Sequence, residues 1–105
     1  MTIATHAHDD VTTLELTGAL TIVDGVRNLR EEIARLMEGG HNRLAVDLRH
    51  VPDIDSAGLG ELVSAHVEAI RQRGEFSLLN VPAHVKRMLE VTRLATVLRC
   101  QESVC

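Results

Sequence analysis

The chain has 105 residues, 45% of them hydrophobic and 25% charged, and a formal net charge of −4. That length suits one soluble domain, taken here as 1–105, with one modest core. The acidic balance, with one Phe and no Trp or Tyr, argues against a nucleic-acid binder, which needs a cationic face and stacking platforms.

The opening residues 2–8 predict a strand, Asp9-Asp10 a turn, and Val11, Leu14 and Leu16 a second strand ended by Gly18. Val26, Leu29, Ile33 and Leu36 then step by three and four, which predicts an amphipathic helix. Asp24 is its expected N-cap and Gly39-Gly40 its stop. Arg43 to Leu48 is the next strand, apolar enough to expect cover on both faces. A second helix runs from about Ala57 to Gln72, with Leu59, Leu62, Val63, Val67 and Ile70 at helical spacing and Gly74 as the stop. Phe76, Leu78, Leu79 and Val81 predict a further buried strand. Pro82 opens a third helix whose inner face is Val85, Met88, Leu89 and Val91, and Thr96 to Cys100 is a candidate last strand.

The order β-β-α-β-α-β-α, with a closing strand optional, predicts an α/β fold. A hairpin starts a mixed sheet of four to five strands, and right-handed crossovers pair the later strands in parallel. The first two helices should lie on one face of that sheet; the side taken by the third is open. The core should span about 2–100 before a frayed tail. No apolar run approaches the ~20 residues of a membrane span, and Met1 to His6 lack the basic and apolar regions of a signal peptide. A cytoplasmic protein is expected. Cys100 and Cys105 have no redox or zinc spacing and are read as reduced thiols. His6 and His8 share one face of a strand without an apparent third ligand, so no metal and no cofactor are expected.

The most informative residue is Ser56, in Val51-Pro-Asp-Ile-Asp-Ser-Ala-Gly-Leu-Gly60, where a strand gives way to a helix. A hydroxyl there suits a helix cap, a nucleophile or a phosphorylation site. The hydrolase elbow Gly-x-Ser-x-Gly is only half present, since Ile54 stands at its first glycine, and no catalytic residues are assigned. Asp55 is the alternative cap, with Ser56 as first helical residue. Asp47 is either a strand-end carboxylate that orders this loop or a plain polar terminus.

Asp47-Leu-x-x-Val-x-x-Ile-Asp-Ser-Ala-Gly-Leu-Gly60 resembles the signature loop of STAS domains, and more narrowly that of bacterial anti-sigma factor antagonists. The hairpin end Leu16-Thr-Gly18, the Gly74-Glu-Phe-Ser-Leu-Leu79 strand and the Val85–Leu94 helix agree in pattern. The resemblance implies a partner switch. The unphosphorylated protein binds an anti-sigma factor that is also a serine kinase, phosphorylation at Ser56 releases it, and a PP2C-type phosphatase resets it. It also implies a partner-binding surface of Asp55, Ser56, Ala57, Gly58 and Leu59, with Thr21 and Asp24 beside them; Leu59 is the expected anchor if the first turn exposes it. Gly58 and Gly60 would leave room for ATP to approach the hydroxyl. Where the family often carries Gly-Glu-[Leu/Ile]-Asp after the hairpin, this chain has Gly18-Ala-Leu-Thr21. The loss of that acidic pair suits an alternative role that STAS domains also serve, as a regulatory or structural subunit of an ABC-type lipid transporter or a stress-sensing complex.

Overall fold

Two consecutive aspartates set the start of the sheet. Asp9 and Asp10 adopt φ of 50° and 68°, the left-handed pair required by the tightest hairpin turn and tolerated by Asp better than by most residues. The turn joins β1 (Thr2–His8) to β2 (Val11–Thr17) in antiparallel register, His8 opposite Val11 and Thr2 opposite Thr17. The computed structural model describes residues 1–92 and the backbone of 99–100. The remaining elements are α1 (Val26–Glu38), β3 (Arg43–His50), α2 (Ser56–Arg71), β4 (Glu75–Leu79), α3 (Ala83–Val91) and β5 (Arg99–Cys100). The expected beginning of the last strand, at Thr96, and the frayed tail lie outside the described residues.

The five strands form one sheet in the order β1-β2-β3-β4-β5, antiparallel only between β1 and β2. This is the mixed sheet expected of the element order. Three parallel crossovers that advance in the same direction, each right-handed, place all three helices on one side. Burial agrees with that geometry. Leu14 and Leu16, Leu44, Val46 and Leu48, and Phe76 and Leu78 alternate along their strands, and they share one core with Leu29 and Ile33 of α1, Leu62 of α2, and Val85 and Leu89 of α3. Residues of the opposite parity, such as Thr13, Glu15, Asp47 and Ser77, face away from the helices. Among the described residues the helices therefore cover one face of β3, although its run is apolar.

Helix ends depart from expectation in instructive ways. At the end of α1, Gly40 takes φ 88°, and the amides of Gly40 and His41 donate to the carbonyls of Met37 and Leu36 at 3.0 and 2.9 Å. This is the glycine-ended C-cap that the sequence predicts. The same two bonds close α2, from Arg73 to Ile70 and from Gly74 to Ala69 at 2.9 and 2.7 Å, but the left-handed residue is Arg73 (φ 61°), not Gly74. Gly74 is required for a different reason: a Cβ there would sit 1.9 Å from the Asn42 carbonyl oxygen. Asp24 is not the N-cap of α1. Gly25 holds that position at φ 90° without a side-chain cap, and the Asp24 carboxylate accepts from the Met1 amino group at 3.2 Å. Pro82 is likewise the N-cap of α3 rather than part of its first turn.

The inner face of α2 is also corrected. Its buried residues include Leu59, Leu62, Ala65 and Ala69, whereas Val67 and Ile70 are 47% and 53% exposed. The helix packs on both α1 and β4, and two alanines allow the close approach that larger side chains would prevent. Val91 of α3 is exposed for its part, leaving Val85 and Leu89 buried and Met88 half-buried.

Candidate functional site

The chain leaves β3 at His50 and enters α2 at Ser56, and the segment between is stitched to the β2–α1 loop. Leu20 and Ile54 form a parallel bridge. The Leu20 amide donates to the Asp53 carbonyl at 2.9 Å, and the Asp55 amide donates to the Leu20 carbonyl at 3.4 Å. Leu20, Val51 and Ile54 drop into the core below. Two loops at the carboxyl end of parallel strands are thereby held as one surface, the usual place for function in an open α/β sheet.

Asp55 fastens this surface from above. One carboxylate oxygen accepts the Gly58 amide at 2.9 Å and so caps α2, and the other accepts the Ile22 amide of the neighbouring loop at 3.0 Å. These bonds, the one from Ile22 first and then that from Gly58, hold its carboxyl below the usual carboxylate range. A depressed folded-state value contributes stability above the unfolded-state value of about 3.9, and that contribution is lost as pH falls through the folded-state value. Asp55→Asn, which keeps one acceptor but turns a donor toward the Ile22 amide, is expected to flatten the dependence of Tm on pH below about pH 4. Thermal melts from pH 2 to 7 check this, and an unchanged slope would refute it.

Ser56 is the first residue of α2 and is exposed. Asp55, not Ser56, makes the cap, and the serine hydroxyl bonds to no other described residue. It stands free in the positive field of a 16-residue helix. Ala57 beside it is half-buried. Gly58 is buried, and its lack of a side chain serves packing rather than access: a Cβ would lie 2.2 Å from the Leu20 carbonyl oxygen. Gly60, in contrast, faces open space and is exposed. Leu59 cannot be the expected exposed anchor. It is 5% exposed and belongs to the core, because the first turn of α2 directs it under the loop pair.

Thr21 and Asp24 flank a tight turn in the neighbouring loop. Their backbones exchange hydrogen bonds at 2.6 and 3.1 Å, and the Thr21 hydroxyl bonds the Asp24 backbone as well. Both residues therefore shape the loop, and what they present at its tip is Ile22 and Val23, 70% and 92% exposed. This pair escaped the sequence reading. The available signal was two β-branched aliphatics in a segment bounded by Gly18 and Gly25, where turn chemistry favours polar residues.

Other candidates lie elsewhere. Asp47 accepts from the Arg49 amide at 2.9 Å and from the Asn80 side chain at 3.0 Å, so it ties β3 to the turn after β4 rather than ordering the Ser56 loop. His6 and His8 are engaged by Glu15 at 2.6 Å and Asp9 at 3.1 Å. Glu61, one turn beyond Gly58, is buried and paired with Arg30 of α1 at 3.0 Å, which links the two helices. The exposed ion pairs of α1 include Arg35 with Glu32, which lowers the carboxyl and raises the guanidinium from their ordinary values.

A family model described as "Mlab, STAS domain" matches residues 3–99. The chain belongs to the STAS-domain family. Solved STAS-like structures agree in architecture. A protein from Thermotoga maritima assigned as an anti-sigma factor antagonist superposes with a TM-score of 0.89 at 23% identity, over 97% of this chain and 87% of that one. An anti-sigma factor antagonist from Mycobacterium paratuberculosis gives 0.84 at 20% identity, over 97% and 86%. The Bacillus cell fate determinant SpoIIAA in its phosphorylated form gives 0.74 at 16% identity, over 97% and 93%. At these identities the likeness is one of fold. Within this STAS domain, the Ser56 turn and the Ile22–Val23 tip make one continuous surface at the carboxyl end of the parallel strands.

Proposed function

We propose that this STAS domain is a phosphorylation-controlled partner switch of the anti-sigma factor antagonist type, acting in the cytoplasm without catalysis of its own. In its unphosphorylated form it binds an anti-sigma factor that is also a serine kinase. Transfer of phosphate to Ser56 releases that partner, and a PP2C-type phosphatase resets the cycle. The observation that carries this reading is the placement of Ser56: exposed, unbonded to other described residues, and first in α2, while Asp55 does the capping. A phosphate there adds about −1.5 to −2 charges where the helix dipole and free amides favour an anion. The domain tolerates the charge, and a desolvated interface does not. Among the described residues no helix is long and apolar enough to cross a membrane.

Incubation with the kinase anti-sigma factor and ATP, followed by intact-mass measurement, tests the switch. The wild type is expected to gain one phosphate and Ser56→Ala none. No gain in the wild type would overturn the proposal.

A second reading rests on Ala19 and Thr21, which stand where antagonists of the family often carry acids. Thr21 is used here to close the turn. A surface without those acids suits a regulatory or structural subunit of an ABC-type lipid transporter or of a stress-sensing complex. Recovery of a transporter ATPase, rather than a kinase, in a pull-down would favour it.

A further inference from the structure

We propose that Ile22 and Val23 form the anchor by which this protein seats in an apolar pocket of its protein partner, immediately beside Ser56. The proposal rests on the partner-switch reading and names the chemistry of its docking surface. Both side chains contribute little to the fold, being 70% and 92% exposed. Both also violate the local rule that exposed turn tips carry Gly, Asn, Asp or Ser. A local rule broken without a folding benefit is the mark of a functional position.

The tip is rigid. Thr21 and Asp24 close it by backbone and side-chain bonds, Gly25 ends it at φ 90°, and its base is pinned where the Leu20 amide meets Asp53. The Ile22 amide is held by the same Asp55 carboxylate that caps the Ser56 helix. Docking such a knob loses little conformational freedom. Because one carboxylate fixes both loops, a partner that covers the tip also covers the Ser56 hydroxyl.

Charge decides what kind of partner fits. Two nearby carboxylates are engaged from within, Asp24 by the Met1 amino group and Asp55 by two backbone amides. What the tip itself presents is aliphatic, so the seat that receives it is apolar. A lipid surface is a poor occupant, since the chain carries a net charge of −4 and the exposed Asp53 adjoins the tip, both repelled by anionic headgroups. An apolar seat also accounts for release. A phosphate on Ser56 would have to be desolvated against it with no cation supplied.

The test measures affinity for the kinase anti-sigma factor by calorimetry, using wild type, Ile22→Ser/Val23→Ser, Val23→Ser and Ser56→Asp. Burial of an aliphatic side chain corresponds to about a tenfold gain or more. Val23→Ser should therefore weaken the complex about tenfold and the double variant about a hundredfold, each with an unchanged Tm. If the double variant binds within threefold of wild type while Ser56→Asp does not bind, the anchor is overturned and the switch stands. If the double variant fails to bind and Ser56→Asp binds like wild type, the anchor stands and the switch is overturned. A wild type that does not bind the kinase ends both. Co-sedimentation of wild type with phosphatidylglycerol vesicles, lost in the double variant, would overturn the protein seat in favour of lipid.

Discussion

Gly58→Ala is expected to destabilise the protein by about 3 kcal/mol, from overpacking against backbone that has nowhere to go. The added methyl would stand 2.2 Å from the Leu20 carbonyl oxygen and 2.7 Å from Ile54 Cγ1. Neither neighbour is the free end of a flexible side chain. The Leu20 carbonyl lies in the parallel bridge to Ile54 and accepts the Asp55 amide, and Ile54 is buried. Relief would require the two loops to part, at a cost of about 1 kcal/mol for each lost hydrogen bond. The intrinsic gain of Ala over Gly within a helix, about 1 kcal/mol, offsets only part of this. At about 4–8 °C per kcal/mol for a domain of this size, Tm should fall by roughly 10–20 °C. Gly60→Ala is the internal control. It lies in the same helix with nothing within 4 Å of the added carbon, so it should raise Tm by a few degrees through propensity alone. Equal melting temperatures for the two variants would refute the account of Gly58.

Ser56→Asp is expected to separate stability from binding. At the first position of α2 a carboxylate meets free amides and the positive end of the helix dipole, worth about 0.3–1 kcal/mol in favour of the fold. Tm should hold or rise by a few degrees. In the complex the same charge would be buried without a partner, at about 3–5 kcal/mol. At about 1.4 kcal/mol per tenfold, that is a loss of at least a hundredfold in affinity. Ser56→Ala, which removes the hydroxyl without adding charge, should bind within about threefold of wild type, since the hydroxyl bonds to no other described residue in the free protein. Calorimetry against the kinase anti-sigma factor decides the matter, and equal affinity for wild type and Ser56→Asp would sink the charge-based switch.

What the amino-acid order determined by itself was periodic or local. The alternation in β2, the three-and-four spacing in α1 and the paired glycines after Glu38 each depend on neighbours within a few residues, and each is legible in one dimension. So was the exposed place of Ser56 at a helix start, since the break between an apolar strand and a helical pattern is itself a sequence feature. Tertiary structure decided the rest. Gly58 and Gly74 are glycines because a carbonyl from a distant segment, Leu20 in one case and Asn42 in the other, occupies the space of a side chain. Leu59 is core rather than anchor because the β2–α1 loop lies over the first turn of α2, and Asp24 is not a cap because Gly25 turns the chain first. Exposure of Ile22 and Val23 follows from a turn closed by Thr21 and Asp24 and pinned by Asp55, 33 residues away in the chain. Contacts of that separation leave no periodic trace, so composition and spacing could find the serine but not the surface around it.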